Sequence, residues 1–274
     1  MDYQPIVKRP EEKAAANLRD YEAAVAAFSW DAARALLDGF PGGKLNIAHE
    51  AVDRHVLAGR GSRLALRWIG RDDRVRDFTY ADLQAETGRF ANLLARNGIG
   101  RGDRVFSLLG RVPELYAAAL GTLKNGSVFS PLFSAFGPEP IKARMTIGGA
   151  SALVTTEAFY RKKIEPWRSE LPALKLVLLT ECSAERPAGT VDLAAAMAEQ
   201  PAAFDTVHTA PDEMALLHFT SGTTGKPKGA VHVHEAVVAH NLTGRLALDF
   251  HDGDVFWCTA DPGWVTGMSY GIIA

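Results

Sequence analysis

Short apolar runs alternate with longer amphipathic stretches along most of the chain. Val105 to Leu109, Val128 to Phe133 and Ala152 to Thr155 are apolar runs, and between them Pro113 to Asn125 and Glu139 to Ile147 have helical spacing. Short strands that alternate with helices of about ten residues are typical of parallel sheet. The pattern therefore predicts an α/β fold with mainly parallel sheets flanked by helices. Further predicted strands are Leu64 to Trp68, Lys175 to Leu179, Ala215 to Phe219 and Ala230 to His234.

The beginning of the chain has a different pattern. Glu11 to Ala27 is rich in Ala and Glu, which predicts a helix, and Ser29 can cap a second helix that runs to Asp38. Glycines and a proline then interrupt the helical pattern. We expect residues 1–45 to form a helical leader and residues 46–274 a separate α/β unit. In that unit Arg71 to Asp77 reads as a charged turn, and Thr79 as the cap of a helix that ends before Gly98.

Charge and composition exclude several classes of function. The formal net charge is −2, which gives no electrostatic reason to expect nucleic acid or a membrane surface as partner. The start has no basic-then-apolar signal peptide, and no apolar run approaches the roughly 18 residues of a membrane span. Cys182 and Cys258 match no metal-ligand spacing and read as buried free thiols. We expect a soluble cytoplasmic enzyme, and the sequence does not indicate its oligomeric state.

A segment rich in glycine, hydroxyl groups and lysine follows the predicted strand Ala215 to Phe219. Glycines let backbone N–H groups converge on an anion, and hydroxyl and ammonium groups add donors for phosphate oxygens. The segment therefore predicts a loop that binds a polyphosphate. Its residues are Thr220, Ser221, Gly222, Thr223, Thr224, Gly225, Lys226, Pro227, Lys228 and Gly229.

This loop is not of the Walker type. That motif needs six positions from its first glycine to its lysine and then a helix, whereas Gly222 lies four residues before Lys226. Pro227 follows the lysine and cannot donate a backbone hydrogen bond. The residues from Ala230 onward alternate as in a strand, so we expect strand–loop–strand.

A second informative string runs from Phe256 to Gly271. Its pattern predicts a strand that ends at Thr259 and then a turn at Asp261-Pro262-Gly263, followed by Trp264. Taken alone, the string fits a packed turn as well as it fits a binding wall.

Together the two strings resemble the adenylate-forming superfamily and, within it, the AMP-forming acetyl- and propionyl-CoA synthetases (acetate–CoA ligases). The segments Arg111 to Tyr116 and Pro131 to Glu139 resemble the same group, so the resemblance covers nearly the whole chain. It implies an AMP-binding domain over residues 46–274. It also implies activation of acetate or propionate by ATP and transfer of the acyl group to CoA, with Mg²⁺ as the expected cofactor of the triphosphate.

The resemblance assigns roles to three groups of residues. ATP phosphates would be bound by Thr220, Ser221, Gly222, Thr223, Thr224, Gly225, Lys226 and Lys228. The acyl pocket would be formed by Trp264, Val265, Thr266 and Gly267. CoA would be bound by Arg161, Lys162 and Lys163, with Thr266 near its thiol. Many relatives have His where Met268 stands. Because methionine cannot donate a hydrogen bond or hold a charge, no polar role is carried over to Met268.

Other interpretations stay open. The basic side chains from Arg161 to Lys163 also fit a solvated helix face. His232 and His234 would lie on one face of a strand, but no other ligand accompanies them and we expect no metal site.

In the resembling family the adenylation lysine, the adenine and ribose contacts and a small C-terminal lid domain lie beyond the position that matches Ala274. We therefore expect a truncated AMP-binding domain that is inactive alone, and no catalytic residue is assigned. The alternatives are a non-catalytic nucleotide-binding or interaction module, and an adenylating enzyme that uses a carrier-protein thiol.

Overall fold

The computed structural model describes residues 7–220 and 226–274 of the chain. Three short helices come first: α1 (Pro10–Ala15), α2 (Tyr21–Ala27) and α3 (Trp30–Arg34). The predicted cap at Ser29 is confirmed, because its Oγ accepts a hydrogen bond from the backbone N of Ala32 at 3.1 Å.

The expectation of one helix from residue 11 to residue 27 is wrong. Asp20 starts a new helix at its own N-cap, and Asn17 is held away from helical pairing by distant residues. The backbone N of Asn17 donates to Asp249 Oδ1 at 2.7 Å, and its side chain donates to the carbonyl of Phe250 at 3.0 Å. The second helix also ends at Arg34 rather than at Asp38.

A hairpin and a long helix follow two π-helical turns at His49–Asp53 and Val56–Arg60. Strands β1 (Leu64–Ile69) and β2 (Val75–Thr79) pair antiparallel, so the predicted charged turn is shorter than expected. Helix α4 (Tyr80–Arg96) begins where it was predicted to. The Thr79 hydroxyl accepts from the backbone N of Asp82 at 3.1 Å, and the Asp82 carboxylate accepts from the backbone N of Thr79 at 2.8 Å.

The remaining strands form one seven-stranded sheet. Its order is β7-β6-β5-β3-β4-β8-β9; the paired strands are parallel except for β9, which is antiparallel to β8. This confirms the predicted α/β class. The strands are β3 (Arg104–Leu108), β4 (Val128–Pro131), β5 (Ala152–Thr156), β6 (Leu176–Thr180), β7 (Val191–Asp192), β8 (Met214–Thr220) and β9 (Lys228–Val233). The helices between and after them are α5 (Pro113–Lys124), α6 (Pro138–Gly148), α7 (Glu157–Lys163), α8 (Leu193–Ala198), α9 (Ala236–Leu246) and α10 (Val265–Met268).

The core lies on both faces of this sheet. Val105 and Phe106 are consecutive residues of β3 and belong to separate apolar clusters, as expected when side chains alternate across a strand. On one face α5 packs closely on α4. A Cβ at Gly121 would lie 2.8 Å from the Cβ of Phe90, so only glycine allows this approach.

A buried ion pair joins the π-helical turn His49–Asp53 to α5. Lys124 Nζ lies 2.7 Å from Asp53 Oδ1, and the side chains are 2% and 8% exposed. Asp53 also accepts hydrogen bonds from Gln84 and Thr206, at 3.1 and 2.7 Å. The carboxylate therefore satisfies three donors from three parts of the chain.

Strands β4 and β8 are joined by little backbone pairing. Phe129 and Leu216 are the one pair of facing residues in their ladder, and the Ser130 hydroxyl adds a hydrogen bond to the Leu217 carbonyl at 2.7 Å. The hairpin of β8 and β9 is therefore attached to the parallel strands largely by side-chain packing.

The predicted strand that ends at Thr259 is wrong. Within the ranges that the structure describes, residues 254–258 pair with no strand, and Val255 and Trp257 are 98% and 81% exposed. An apolar run becomes a strand only where a neighbouring strand pairs with its backbone N–H and C=O groups. No strand of the described residues lies beside this run. Among the helices of the described residues, none combines the length and the apolar character that crossing a membrane requires.

Candidate functional site

The segments singled out in the sequence follow parallel strands of the sheet. The predicted phosphate-binding loop (residues 220–229, called the phosphate loop below) follows β8, the segment 132–137 follows β4, and α7 with its basic residues follows β5. The carboxyl ends of parallel strands lie at one edge, where ligands bind in open α/β sheets. The topology therefore brings these segments to the same edge.

The phosphate loop closes an antiparallel hairpin. Thr220, the last residue of β8, faces Lys228, near the start of β9. This confirms strand–loop–strand and excludes the strand–loop–helix of a Walker motif. Thr220, Lys226 and Lys228 are exposed and flank the loop. The predicted phosphate ligands Ser221, Gly222, Thr223, Thr224 and Gly225 lie outside the described residues.

The turn at Asp261-Pro262-Gly263 packs directly on the segment after β4. A Cβ at Gly263 would lie 2.4 Å from the backbone N of Phe133, and the rings of Phe133 and Trp264 are 5.6 Å apart. The Ser134 hydroxyl donates to Asp261 Oδ2 at 2.7 Å. The two segments that resembled the same family thus contact each other.

The predicted acyl-pocket residues begin α10, just after this turn. Trp264 and Val265 are 58% and 45% exposed, and Thr266 is also exposed. Gly267 is buried, and a Cβ there would lie 2.4 Å from the Asp261 carbonyl. Met268 is fully buried in the apolar core, where its side chain needs no hydrogen-bond partner.

A small cavity of about 30 Å³ lies behind this turn. It is large enough for about one water molecule, and it is too small for a carboxylate substrate with its activated phosphate. Of the predicted acyl-pocket residues, Trp264, Val265 and Thr266 are therefore exposed to solvent rather than enclosed in a pocket of the described residues. Among the residues that line the cavity are Arg111, Tyr116, Cys258 and Gly267.

The predicted CoA-binding residues differ in their surroundings. Arg161 Nε pairs with Glu157 Oε1 at 2.8 Å, and another of its nitrogens donates to the carbonyl of Glu185. Glu157 also accepts from the backbone N and the hydroxyl of Ser183, each at 2.7 Å. These hydrogen bonds and the Arg161 guanidinium lower the pKa of Glu157 to about 2. Arg161 therefore has a structural partner that any phosphate would have to share.

Lys163 is tied to the segment after β4. Its Nζ donates to the Ser134 carbonyl at 2.7 Å and lies 4.3 Å from the centre of the Phe159 ring. Burial, and to a lesser degree the charge of Lys162, lowers the pKa of Lys163. Lys162 is exposed to solvent. Of the three basic residues, Lys162 is the most available to a ligand.

The structure assembles a histidine cluster that sequence spacing did not reveal. The ring of His218 on β8 lies 5.4 Å from that of His232 on β9, and His232 lies 6.5 Å from His240 on α9. His240 Nε2 is 3.1 Å from the Ser269 hydroxyl. His234 has a separate place, where its Nδ1 accepts from the backbone N of Ile47 at 3.1 Å.

Burial lowers the pKa of three of these histidines to about 4, so they are neutral at pH 7. They are His218, His234 and His240. Within residues 7–220 and 226–274, no group of three or more His, Cys, Asp or Glu side chains has the arrangement of a metal site. Cys182 and Cys258 are free and half-buried rather than fully buried. Burial raises the pKa of Cys182 to about 11.

Comparison with known proteins agrees with this geometry. A family model described as AMP-binding enzyme matches residues 53–274. The acetyl-coenzyme A synthetase of Bacillus subtilis is 38% identical over 262 residues, which are 94% of this chain and 45% of the relative. That of Mycobacterium tuberculosis H37Rv is 37% identical over 258 residues, 85% of this chain and 38% of the relative.

A solved structure also matches. The crystal structure of Brucella canis acyl-CoA synthetase superposes with a TM-score of 0.84 at 35% identity, over 92% of this chain and 45% of that one. The chain thus spans less than half the length of the relatives it matches. Because the family model covers most of the chain and includes both the hairpin and the Trp264 turn, the chain belongs to the AMP-binding enzyme family.

Proposed function

We propose that the chain provides the phosphate loop and part of the acyl pocket of an acid–thiol ligase that activates acetate or propionate. The carboxylate oxygen attacks the α-phosphorus of ATP, and pyrophosphate leaves. The CoA thiol then attacks the carbonyl carbon of the acyl adenylate, and AMP leaves. The supporting observation is the contact between the Trp264 turn and the segment after β4, at the sheet edge where the loop hairpin opens.

The phosphate loop would hold the β- and γ-phosphates. Thr220, Lys226 and Lys228 are exposed at the two ends of the hairpin, where hydroxyl and ammonium donors can reach phosphate oxygens. The residues 221–225 would add backbone N–H groups and further hydroxyls. Such donors, positioned before reaction, stabilise the charge that develops on the leaving pyrophosphate.

The acyl group would lie against Trp264, Val265 and Thr266, with Gly267 allowing the turn behind them. Their exposure means that other residues must complete the pocket, and acetate and propionate are not distinguished by these three alone. We assign CoA phosphates first to Lys162. Arg161 and Lys163 would contribute only after sharing the partners that they already have.

Mg²⁺ belongs to this proposal as the ion that accompanies ATP. Within the described residues no group of three or more His, Cys, Asp or Glu side chains is arranged for a metal, so we assign the ion no protein ligand and derive no step through it. Ligase activity likewise depends on the groups that surround the phosphates. Adenylation depends on positioned charges around the phosphates, so we expect negligible ligase activity from these 274 residues alone.

Calorimetric titration with ATP tests the phosphate loop. If the loop binds ATP unaided, Lys226→Met should weaken binding about tenfold or more, because a charge-assisted hydrogen bond is lost. Lys175→Met, which removes an exposed lysine before β6, is the matched control. A dissociation constant no tighter than about 1 mM that is equal in all three proteins would contradict the proposed role of the loop.

An ATP–pyrophosphate exchange assay with acetate, propionate and longer acids tests the substrate class, on the 274 residues and on any longer chain that the gene encodes. Exchange with the short acids is expected only from a longer chain. The second candidate is a non-catalytic nucleotide-binding module. It predicts ATP binding without exchange in any chain that the gene encodes.

A further inference from the structure

We infer that Lys163 is a positioning residue for the acyl-pocket turn: it acts through Ser134 and Asp261 to hold Trp264 in place. The inference rests on the proposed function for what the turn binds, and on geometry for how it is held. The family resemblance instead implies that Lys163 is one of the ligands of CoA.

The first link joins α7 to the segment after β4. Lys163, the last residue of α7, donates from Nζ to the Ser134 carbonyl at 2.7 Å. Its ammonium also lies over the Phe159 ring, and burial already disfavours its charged form. A lysine held between a carbonyl and an aromatic face has fewer open directions for a phosphate than its exposed neighbour Lys162.

The second link joins that segment to the turn. Ser134 uses its carbonyl for Lys163 and its hydroxyl for Asp261 Oδ2, at 2.7 Å. The other carboxylate oxygen of Asp261 accepts from the backbone N of Gly263 at 2.8 Å, and the Asp261 carbonyl accepts from the backbone N of Trp264 at 2.9 Å. One serine thus connects the ammonium to the hydrogen bonds that shape the turn.

Packing makes the turn sensitive to the position of this segment. The Cα of Gly263 sits against the backbone of Leu132 and Phe133 so closely that a Cβ would lie within 2.7 Å of three of their atoms. The ring of Trp264 rests 5.6 Å from that of Phe133. A shift of the Ser134 carbonyl therefore moves the surface on which Trp264 is seated.

Hydrogen–deuterium exchange of the 274-residue chain tests this inference without any ligand. Lys163→Met should raise the exchange rate of the Gly263 and Trp264 amides roughly two- to tenfold, the loss expected for one hydrogen bond in the relay. Ser134→Ala should have the same effect, and Lys163→Arg, which keeps a donor, should restore slow exchange. Lys162→Met removes the neighbouring charge and should leave these amides unchanged.

Urea denaturation of each variant measures whether the whole chain is destabilised, which separates global from local effects. The inference requires faster exchange of the amides at 263–264 while amides of the central strands β3 and β5 keep the exchange rates of the wild type. Unchanged exchange at 263–264 in Lys163→Met, or equally faster exchange throughout the chain, would overturn it. Because neither measurement uses ATP or CoA, failure of the proposed catalytic function would leave this result unaffected.

Discussion

The buried pair of Lys124 and Asp53 gives the sharpest prediction about stability. Asp53→Asn keeps the size of the side chain and removes its charge. The Lys124 ammonium is then buried without a counter-ion, since its side chain is 2% exposed and its Nζ lies 2.7 Å from the altered group. We expect the free energy of unfolding at pH 7 to fall by about 3–5 kcal/mol, as for other buried pairs that lose one partner.

The ionisation of lysine limits that loss to about the upper end of this range. Burial lowers the pKa of Lys124 even with Asp53 present. In the variant, Lys124 can lose its proton in the native state, which removes the buried charge. Relative to a lysine pKa of about 10.4 in the unfolded chain, that release costs about 4.6 kcal/mol at pH 7. The unfolded state then binds one more proton than the native state, so stability should rise by about 1.4 kcal/mol per pH unit toward pH 10.

Urea denaturation followed by circular dichroism at pH 7, 8 and 9 measures both quantities. The control is Arg67→Met, which breaks an ion pair with Asp77 whose side chains are 55% and 44% exposed. That change should cost no more than about 1 kcal/mol. A loss below about 1 kcal/mol for Asp53→Asn, or a loss that does not shrink as the pH rises, would refute the reasoning.

Three further outcomes are expected. Gly263→Ala should lower the free energy of unfolding by about 2 kcal/mol or more, because its Cβ meets the Phe133 backbone at 2.4 Å, whereas Gly110→Ala, with open space around it, should change little; thermal unfolding compares them. Stability should fall as the pH drops from about 6.5 toward 4, because the buried histidines are neutral in the native state and charged in the unfolded state. His218→Gln should reduce this slope by about 1.4 kcal/mol per pH unit in urea titrations, and equal slopes would count against it. Cys182 should react with a thiol reagent at pH 8 roughly a hundredfold more slowly than an ordinary thiol, and a single fast phase for both cysteines would contradict this.

Local signals in the sequence predicted the parallel strands and the helix caps well. Ser29 and Thr79 cap helices because a side-chain oxygen needs only a neighbouring N–H group, which the next three residues provide. Apolar runs such as Ala152–Thr156 form buried strands because both faces of a parallel sheet are covered. The hairpin around Pro227 is predictable for the same reason, since its signals are residues that are adjacent in the chain.

Features that depend on distant residues could not be read in this way. The contact of Lys163 with Ser134 spans 29 positions, and that of Lys124 with Asp53 spans 71. The histidines at 218, 232 and 240 share no spacing that a motif would show. The wrongly predicted strand before Thr259 has the same cause. Its apolar pattern is visible in the local sequence, but whether a partner strand lies beside it depends on distant residues.

The two edge strands of the seven-stranded sheet differ in how readily they can pair with another molecule in solution. At one end β7 is only two residues long, and short edges resist pairing with other molecules. At the other end β9 has six residues, pairs on one side only in the described part of the chain, and exposes Val231 at 52%. A strand of this length whose backbone groups are unpaired on one side is a template for intermolecular strand addition. Concentrated samples should therefore scatter light increasingly with time, and a charged residue at Val231 should keep them clear.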